Sequence, residues 1–216
     1  LIQDSHDSPN QKKAHRKRAW QLFRALLGQG IVRWNTETDS KKHVEVNVEL
    51  QEDFSMNQAL SLYLHETLDK IDPEAPDYPL VVITMVESIL EDPSAILFKQ
   101  LDKIKGRAIA AMKEEGLDYD QRMEELEKLE YPKPNREFIY SSFNEFARQH
   151  PWVEEENIRP KSIVREMFES FRSFDDYIKD YGLERAEGLL LRHISSVYKT
   201  LSQTVPDSKK NDTIRE

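Results

Sequence analysis

Leu80-Val81-Val82-Ile83-Thr84-Met85-Val86-Glu87-Ser88-Ile89-Leu90 decides the fold. Apart from Thr84, Glu87 and Ser88 the run is apolar on nearly all sides, and a helix of that kind belongs in the middle of a helical bundle. Glu87 needs a partner there, because a lone carboxylate in apolar surroundings is costly unless paired. A buried arginine is the expected partner. The alternative, a perturbed acid with a chemical role, has no nucleophile or histidine nearby in sequence to support it.

Upstream, Pro73, Pro76 and Pro79 interrupt any regular helix between Ile71 and Tyr78, which makes this loop the best place for a domain boundary. Before it, Ser55 to Lys70 reads as a helix with Leu60, Leu64 and Leu68 in line. Downstream, Asp92-Pro93 is expected to start another helix, Asp92 as N-cap, with Leu97, Leu101, Ile104, Ala108 and Met112 on one face down to Gly116. An acidic helix with Met123, Leu126 and Leu129 inside ends at Pro132 and Pro134. Asn135 caps the next, with Phe138, Ile139, Phe143 and Phe146 inward, and His150-Pro151 terminates it because a residue before proline avoids helical geometry. Trp152 is expected to pack in that turn. Ile163, Met167, Phe168 and Phe171 form the apolar face of a further helix opened by Pro160, Ser173 restarts a short one, and Gly182 breaks before a last helix aligning Leu190, Ile194, Val197 and Leu201.

The amino-terminal part differs. Ala19, Trp20, Phe23, Leu26 and Leu27 follow helical spacing from Gln11 to Leu27, and Gly28-Gln29-Gly30 supplies a left-handed stop. After Ile31 to Trp34 and the turn-rich Asn35 to Ser40, Val44, Val46, Val48 and Leu50 alternate with polar residues, the period of a half-buried strand. Helix, strand, turn and strand are the C-terminal half of a winged-helix module. The expected fold is therefore mainly α: a partial winged helix (a helix plus β-wing) over 1–52, a multi-helix bundle over 53–205 and a flexible tail over 206–216. Residues 1–10 are read as a frayed end.

The 216 residues are 38% hydrophobic and 33% charged, with nine Phe, eight Tyr and three Trp to anchor a core, a globular rather than disordered composition. Zero cysteines exclude disulfides, thiolate zinc sites and Cys nucleophiles together and suit a reducing compartment, so a cytoplasmic location is expected. No apolar run approaches the roughly 20 residues of a membrane span, and no signal-peptide pattern precedes the first helix, so no membrane partner is expected. A start at Leu1 rather than Met reads as a fragment or processed product.

Catalytic patterns are missing. There is no phosphate-cradling G-x-x-x-x-G-K-[ST], and Arg33 stands where a dinucleotide fingerprint beginning at Gly28 wants its third glycine. His65-Glu66 lacks a second helical His, and none of the six His follows a Glu at the spacing of di-iron bundles, so no metal site is expected. Glu154-Glu155-Glu156 reads as a solvated charge run beside Trp152. No catalytic residue is assigned.

The basic features remain. Pro9 to Trp34 holds Lys12, Lys13, Arg16, Lys17, Arg18, Arg24 and Arg33 without one Asp or Glu, in a chain of net charge −9. Screening confines the field to about 8–10 Å, so a local positive patch attracts phosphate whatever the total charge. Lys12, Lys13, Arg16, Lys17 and Arg18 lie in the amino-terminal half of the helix that a winged helix presents to a groove or backbone. A solvated face docking an acidic neighbouring domain is the competing reading. Arg165, Arg172 and Lys179 are seven apart, as are Arg185, Arg192 and Lys199, so each trio is able to share a helix face and line a strand-tracking groove, or to pair with Glu169, Asp176 and Glu187. Phe168, Phe171, Phe174, Tyr177 and Tyr181 are read as core rather than stacking platforms.

Ser88-Ile-Leu-Glu-Asp-Pro, the block from Tyr131-Pro-Lys-Pro through His150-Pro-Trp-Val, Arg159-Pro-Lys-Ser-Ile-Val-Arg-Glu-Met and Tyr181-Gly-Leu-Glu-Arg-Ala-Glu-Gly-Leu-Leu-Leu-Arg resemble DUF3516, a domain at the C-terminus of bacterial DEAD/DEAH-box helicases. Glu187-Gly188-x-x-x-Arg192 is also similar to the E-G-x-x-x-R of the C-terminal helical domain in Ski2-like RNA helicases. The resemblance implies a superfamily 2 helicase as parent, whose winged helix is followed by a ratchet-like bundle contacting single-stranded RNA or DNA. Its RecA-like motor domains, with ATP and magnesium, lie outside this chain, which by itself carries no cofactor. On that reading Lys12 to Arg18, with Arg159, Lys161, Arg165, Arg185 and Arg192, contact nucleic-acid backbone. The rival is a protein docking module that braces the motor without touching nucleic acid.

Overall fold

Ser8 and Gln11 set the start of the first helix: the Ser8 amide donates to Gln11 Oε1 at 2.9 Å and the Gln11 amide to Ser8 Oγ at 3.4 Å, with Pro9 at the first helical position where its missing N–H costs nothing. Pro9 and Asn10, read as part of a frayed end, thus belong to the helix. The computed structural model describes residues 2–28, 32–35, 43–46, 60–150, 153, 158–210 and 212–215. It is mainly helical with a small two-stranded antiparallel sheet. The second glycine of the predicted stop, the turn before Ser40, the strand beyond Val46, the start of the helix predicted from Ser55, Trp152 and Glu154 to Glu156 fall outside the described residues.

The chain divides into two compact units, each assembled from separated stretches. The first takes Leu1–Ala75, Tyr140–Asn157 and Thr200–Glu216, and the second Pro76–Ile139 and Ile158–Lys199. The first division falls inside the proline-rich loop.

In the first unit, α1 (Pro9–Gly28) leads to β1 (Val32–Asn35) and β2 (His43–Val46), paired with Arg33 opposite Glu45 and Trp34 opposite Val44. The pleat puts Val32, Trp34 and Val44 on one face and the Arg33–Glu45 ion pair, 3.3 Å, on the other. Val44, expected on the covered side of a strand, is exposed. α2 (Ser61–Leu68) buries Tyr63, Leu64 and Leu68, and Leu60 just before it is buried as well. Tyr63 meets Phe143 and Phe146 of α6 (Arg136–Gln149) edge-on at 5.5 and 5.6 Å, and its hydroxyl lies 2.8 Å from Ser142 Oγ. Burial pushes the Tyr63 phenol up to about 12. α6 stops at Gln149, one residue before the His-Pro dipeptide. The carboxyl-terminal stretch, read as a flexible tail, holds a 3₁₀ turn at Asp207–Lys209 and α10 (Asp212–Arg215), with Lys209 Nζ 3.1 Å from Asp69 Oδ1.

In the second unit, α3 (Tyr78–Ile89) is buried at every position except Leu80, as its composition demands. Each fully buried Val or Met there contributes about 1.5–3 kcal/mol. α4 (Ser94–Glu114) begins after Pro93, and the predicted Asp92 cap is overturned: that carboxylate turns away to two cations. α5 (Tyr119–Glu127) starts with a full capping box between Asp118 and Gln121. α7 (Val164–Glu169) is a single short helix; α8 (Phe174–Tyr181) is capped by Ser173 and closed by Gly182 at φ 59°, a left-handed conformation that glycine adopts without a Cβ penalty. α9 (Glu187–Thr204) follows. Ile96, Leu97, Ile163, Tyr177, Ile178, Leu183 and Leu190 form one hydrophobic cluster in the core of this unit.

Candidate nucleic-acid interface

The amino-terminal half of α1 is exposed except at Lys12. Residues 13–20 are exposed without interruption, and Lys13, Arg16, Lys17 and Arg18 are among them. Lys12 is partly covered, its Nζ donating to the Gln3 carbonyl at 2.8 Å. At 100° per residue, Lys13, Arg16, Lys17, Trp20 and Arg24 fall within one arc, so four cations and an indole share a face. Trp20 is 49% exposed; its ring stacks on Phe23 at 5.6 Å, and the Arg24 guanidinium lies 5.1 Å from its centroid. Phe23 in turn meets Trp34 of β1 edge-on at 5.5 Å, and Trp34 is 48% exposed. The hairpin thus props an aromatic row beside the basic face.

The second unit treats its predicted contacts differently. Lys161 is a correction: it is wholly buried, its Nζ donating to the carbonyls of Glu87 at 2.8 Å and Leu90 at 2.9 Å and lying 3.0 Å from Asp92 Oδ1. Burial pushes its ammonium below the usual lysine range, against the pull of Asp92. Arg159 pairs with the other Asp92 oxygen at 2.5 Å. Burial alone would raise the Asp92 carboxyl, but the Arg159 hydrogen bond and the Lys161 charge hold it below the ordinary range. Arg165 is also turned inward: Nη1 donates to Thr84 Oγ1 at 3.0 Å and Asn135 Oδ1 at 2.5 Å, and Nη2 to Glu169 Oε1 at 3.2 Å. Lys161 and Arg165 therefore spend these donors on partners inside the fold. Arg185 is exposed in the loop before α9, and Arg192 is exposed on α9, 3.5 Å from Glu91, which is more exposed still.

The two seven-residue stripes are split among separate elements. Arg165 sits on α7, Lys179 on α8 and Arg172 between them, paired with Glu166 at 3.4 Å and Asp180 at 3.1 Å. Arg185 precedes α9, leaving Arg192 and Lys199 as a two-residue stripe.

Among the described residues Glu87 meets backbone amides and a histidine rather than the expected arginine side chain. Oε1 accepts from the amides of Ile163 and Val164, both at 2.9 Å, and Oε2 from the Arg165 amide at 3.3 Å, while His193 Nε2 lies 3.0 Å from Oε1. A carboxylate only accepts, so His193 carries its hydrogen on Nε2. The acid thus satisfies orphan donors at the start of α7. Glu166 is a second hub: it accepts from Gln100 Nε2 at 2.8 Å and from the hydroxyls of Tyr177 and Tyr181. Burial and this carboxylate push the Tyr181 phenol up to about 12. Among the described residues no group of three or more His, Asp or Glu is placed to hold a metal ion, and no helix is long and apolar enough to cross a membrane.

A family model for a domain of unknown function, DUF3516, matches residues 1–216. The chain belongs to the DUF3516 family. No curated protein and no solved structure matched it.

Two features of this DUF3516 chain escape sequence reading. Trp20, placed on an apolar helical face by its spacing, is half in solvent beside cations. Phe168 and Phe171, assigned to the core, are exposed, Phe171 at 93% with a positive φ of 51°. With Val164, Met167, Arg172 and Ile194 they line an apolar concavity of about 340 Å³. Clustering of Trp20 with Lys17 and Arg24, three residues before it and four after, was the only available signal for the first. None existed for the second.

Proposed function

We propose that this DUF3516 chain is the C-terminal accessory region of an ATP-dependent superfamily 2 helicase of the DEAD/DEAH-box, Ski2-like kind. It contacts single-stranded RNA or DNA and supports RecA-like domains that lie outside it. α1 with β1 and β2 is, on this reading, the helix and wing of a winged-helix module. The observation that carries the reading is the solvated cationic half of α1, where Lys13, Arg16, Lys17 and Arg18 stand exposed in a stretch without a carboxylate. Exposed backbone-seeking cations give weak, salt-dependent and nearly sequence-blind binding.

Fluorescence anisotropy of a labelled single-stranded RNA, titrated with the chain at low and at physiological salt, tests it. Salt-sensitive binding that disappears in a Lys13→Glu, Arg16→Glu, Lys17→Glu variant is the expected result. Absence of binding at low salt overturns it.

The exposed Phe168–Phe171 concavity favours a second reading, a docking module that braces the motor. Association of this chain with a purified motor fragment in the absence of RNA, lost on Phe171→Ser, is its signature.

A further inference from the structure

We infer that Trp20 and Trp34 form a stacking platform for unpaired bases, so that the basic face of α1 reads a single strand by its bases as well as its phosphates. The inference rests on the nucleic-acid reading above and deepens it. Phosphate attraction accounts for the cations, but it gives no reason for two indoles to stand half in water. Trp20, Phe23 and Trp34 make a continuous ring-to-ring row, 5.6 and then 5.5 Å between centroids. Contacts between helix and hairpin hold that row, so its rings are ordered before a ligand arrives and lose little freedom on binding. Lys13, Arg16 and Lys17 precede Trp20 on the same face by one to two turns, and Arg24 follows by one. A phosphodiester chain laid along that face meets cations on both sides of an indole. The spacing suits phosphates at either side and bases on the rings, a combination that binds single strands with little sequence preference. Arg24, itself exposed and only 5.1 Å from the Trp20 centroid, leaves the ring for a phosphate when a base takes its place.

An anionic membrane surface is the competing ligand for a basic, aromatic helix. It fits less well, since an interfacial helix needs a broad apolar face to bury. Within the exposed stretch 13–20 only Ala14, Ala19 and Trp20 are apolar, and the aromatic row behind them is propped by the hairpin.

The test compares the full chain's binding to a short labelled oligouridylate and to a base-free ribose-phosphate polymer of equal length, at low salt, alongside phosphatidylserine vesicles. The oligouridylate is expected to bind at least about fivefold more tightly than the base-free polymer, and Trp20→Ala to remove about fivefold or more of its affinity while leaving the base-free polymer unchanged. Trp20→Phe restores most of the loss. Because Trp34→Ala removes a packing partner of Phe23, quenching of the wild-type tryptophan fluorescence by oligouridylate and not by the base-free polymer is the second measurement. Equal affinity for the two polymers overturns the platform while leaving the phosphate-binding reading intact. Binding to neither polymer overturns both, and binding to vesicles alone assigns the face to a membrane surface and overturns the platform.

Discussion

Glu87 Oε1 and His193 Nε2 lie 3.0 Å apart across 106 residues of chain, and both side chains are sealed from solvent. The same carboxylate accepts three backbone amides at the start of α7, so removing it strands four donors at once. Glu87→Ala is expected to destabilise the chain by about 3–5 kcal/mol, and Glu87→Gln, which keeps one acceptor, by less. Urea unfolding followed by circular dichroism measures both.

Asp92 makes stability depend on pH. Its folded-state pKa is depressed, so the stabilisation is fully present above its unfolded value, about 4, and is lost as pH falls through the folded value. Lys161 is a base with a depressed folded pKa, so stability rises as pH climbs through that value toward about 10.4. Asp92→Asn should cost about 3 kcal/mol at neutral pH by leaving a buried ammonium short of its counter-ion. The gap to the wild type should narrow below about pH 4, a narrowing that acid titration of the unfolding midpoint detects.

Phe171 occupies a position after α7 where a helix ordinarily ends in glycine, with the Arg172 amide reaching back to the Met167 carbonyl at 2.9 Å. The left-handed backbone costs a non-glycine residue about 1–2 kcal/mol, and glycine gives back about 0.5–1 through its freer unfolded chain. Phe171→Gly is therefore expected to stabilise the chain by up to about 1 kcal/mol, whereas Phe171→Ala, which keeps the Cβ, should not. A rise in Tm for the first variant alone is the check.

Arg185 and Arg192 are predicted cations of the second unit that stay exposed on its surface. If they hold strand phosphates, replacing both by Ala should make the slope of log affinity against log salt shallower by about 0.7 for each cation removed. Identical slopes in folded protein would restrict binding to α1.

The helical architecture was legible because its signals are local. The composition of Leu80 to Leu90, the proline loop, Ser173 and Gly182 each acts within a few residues. The partners of Glu87 were not legible, since they come from residues 76 to 106 positions away. Lys161 looked like its neighbours Arg159 and Arg165 because charge in a sequence carries no mark of burial. Trp20 shows the converse: spacing tells which residues share a helix face, and nothing about whether that face is covered.

The interleaving of the two units also orders their completion. Unit two is whole once residue 199 has been made, while the unit that contains α1 waits for Thr200 to Glu216. Domains fold as units during synthesis, usually from the amino terminus onward, at about 5–20 residues per second. Here the unit started earlier is finished later, so α1 and its cationic face leave the ribosome well before the segments that complete their unit.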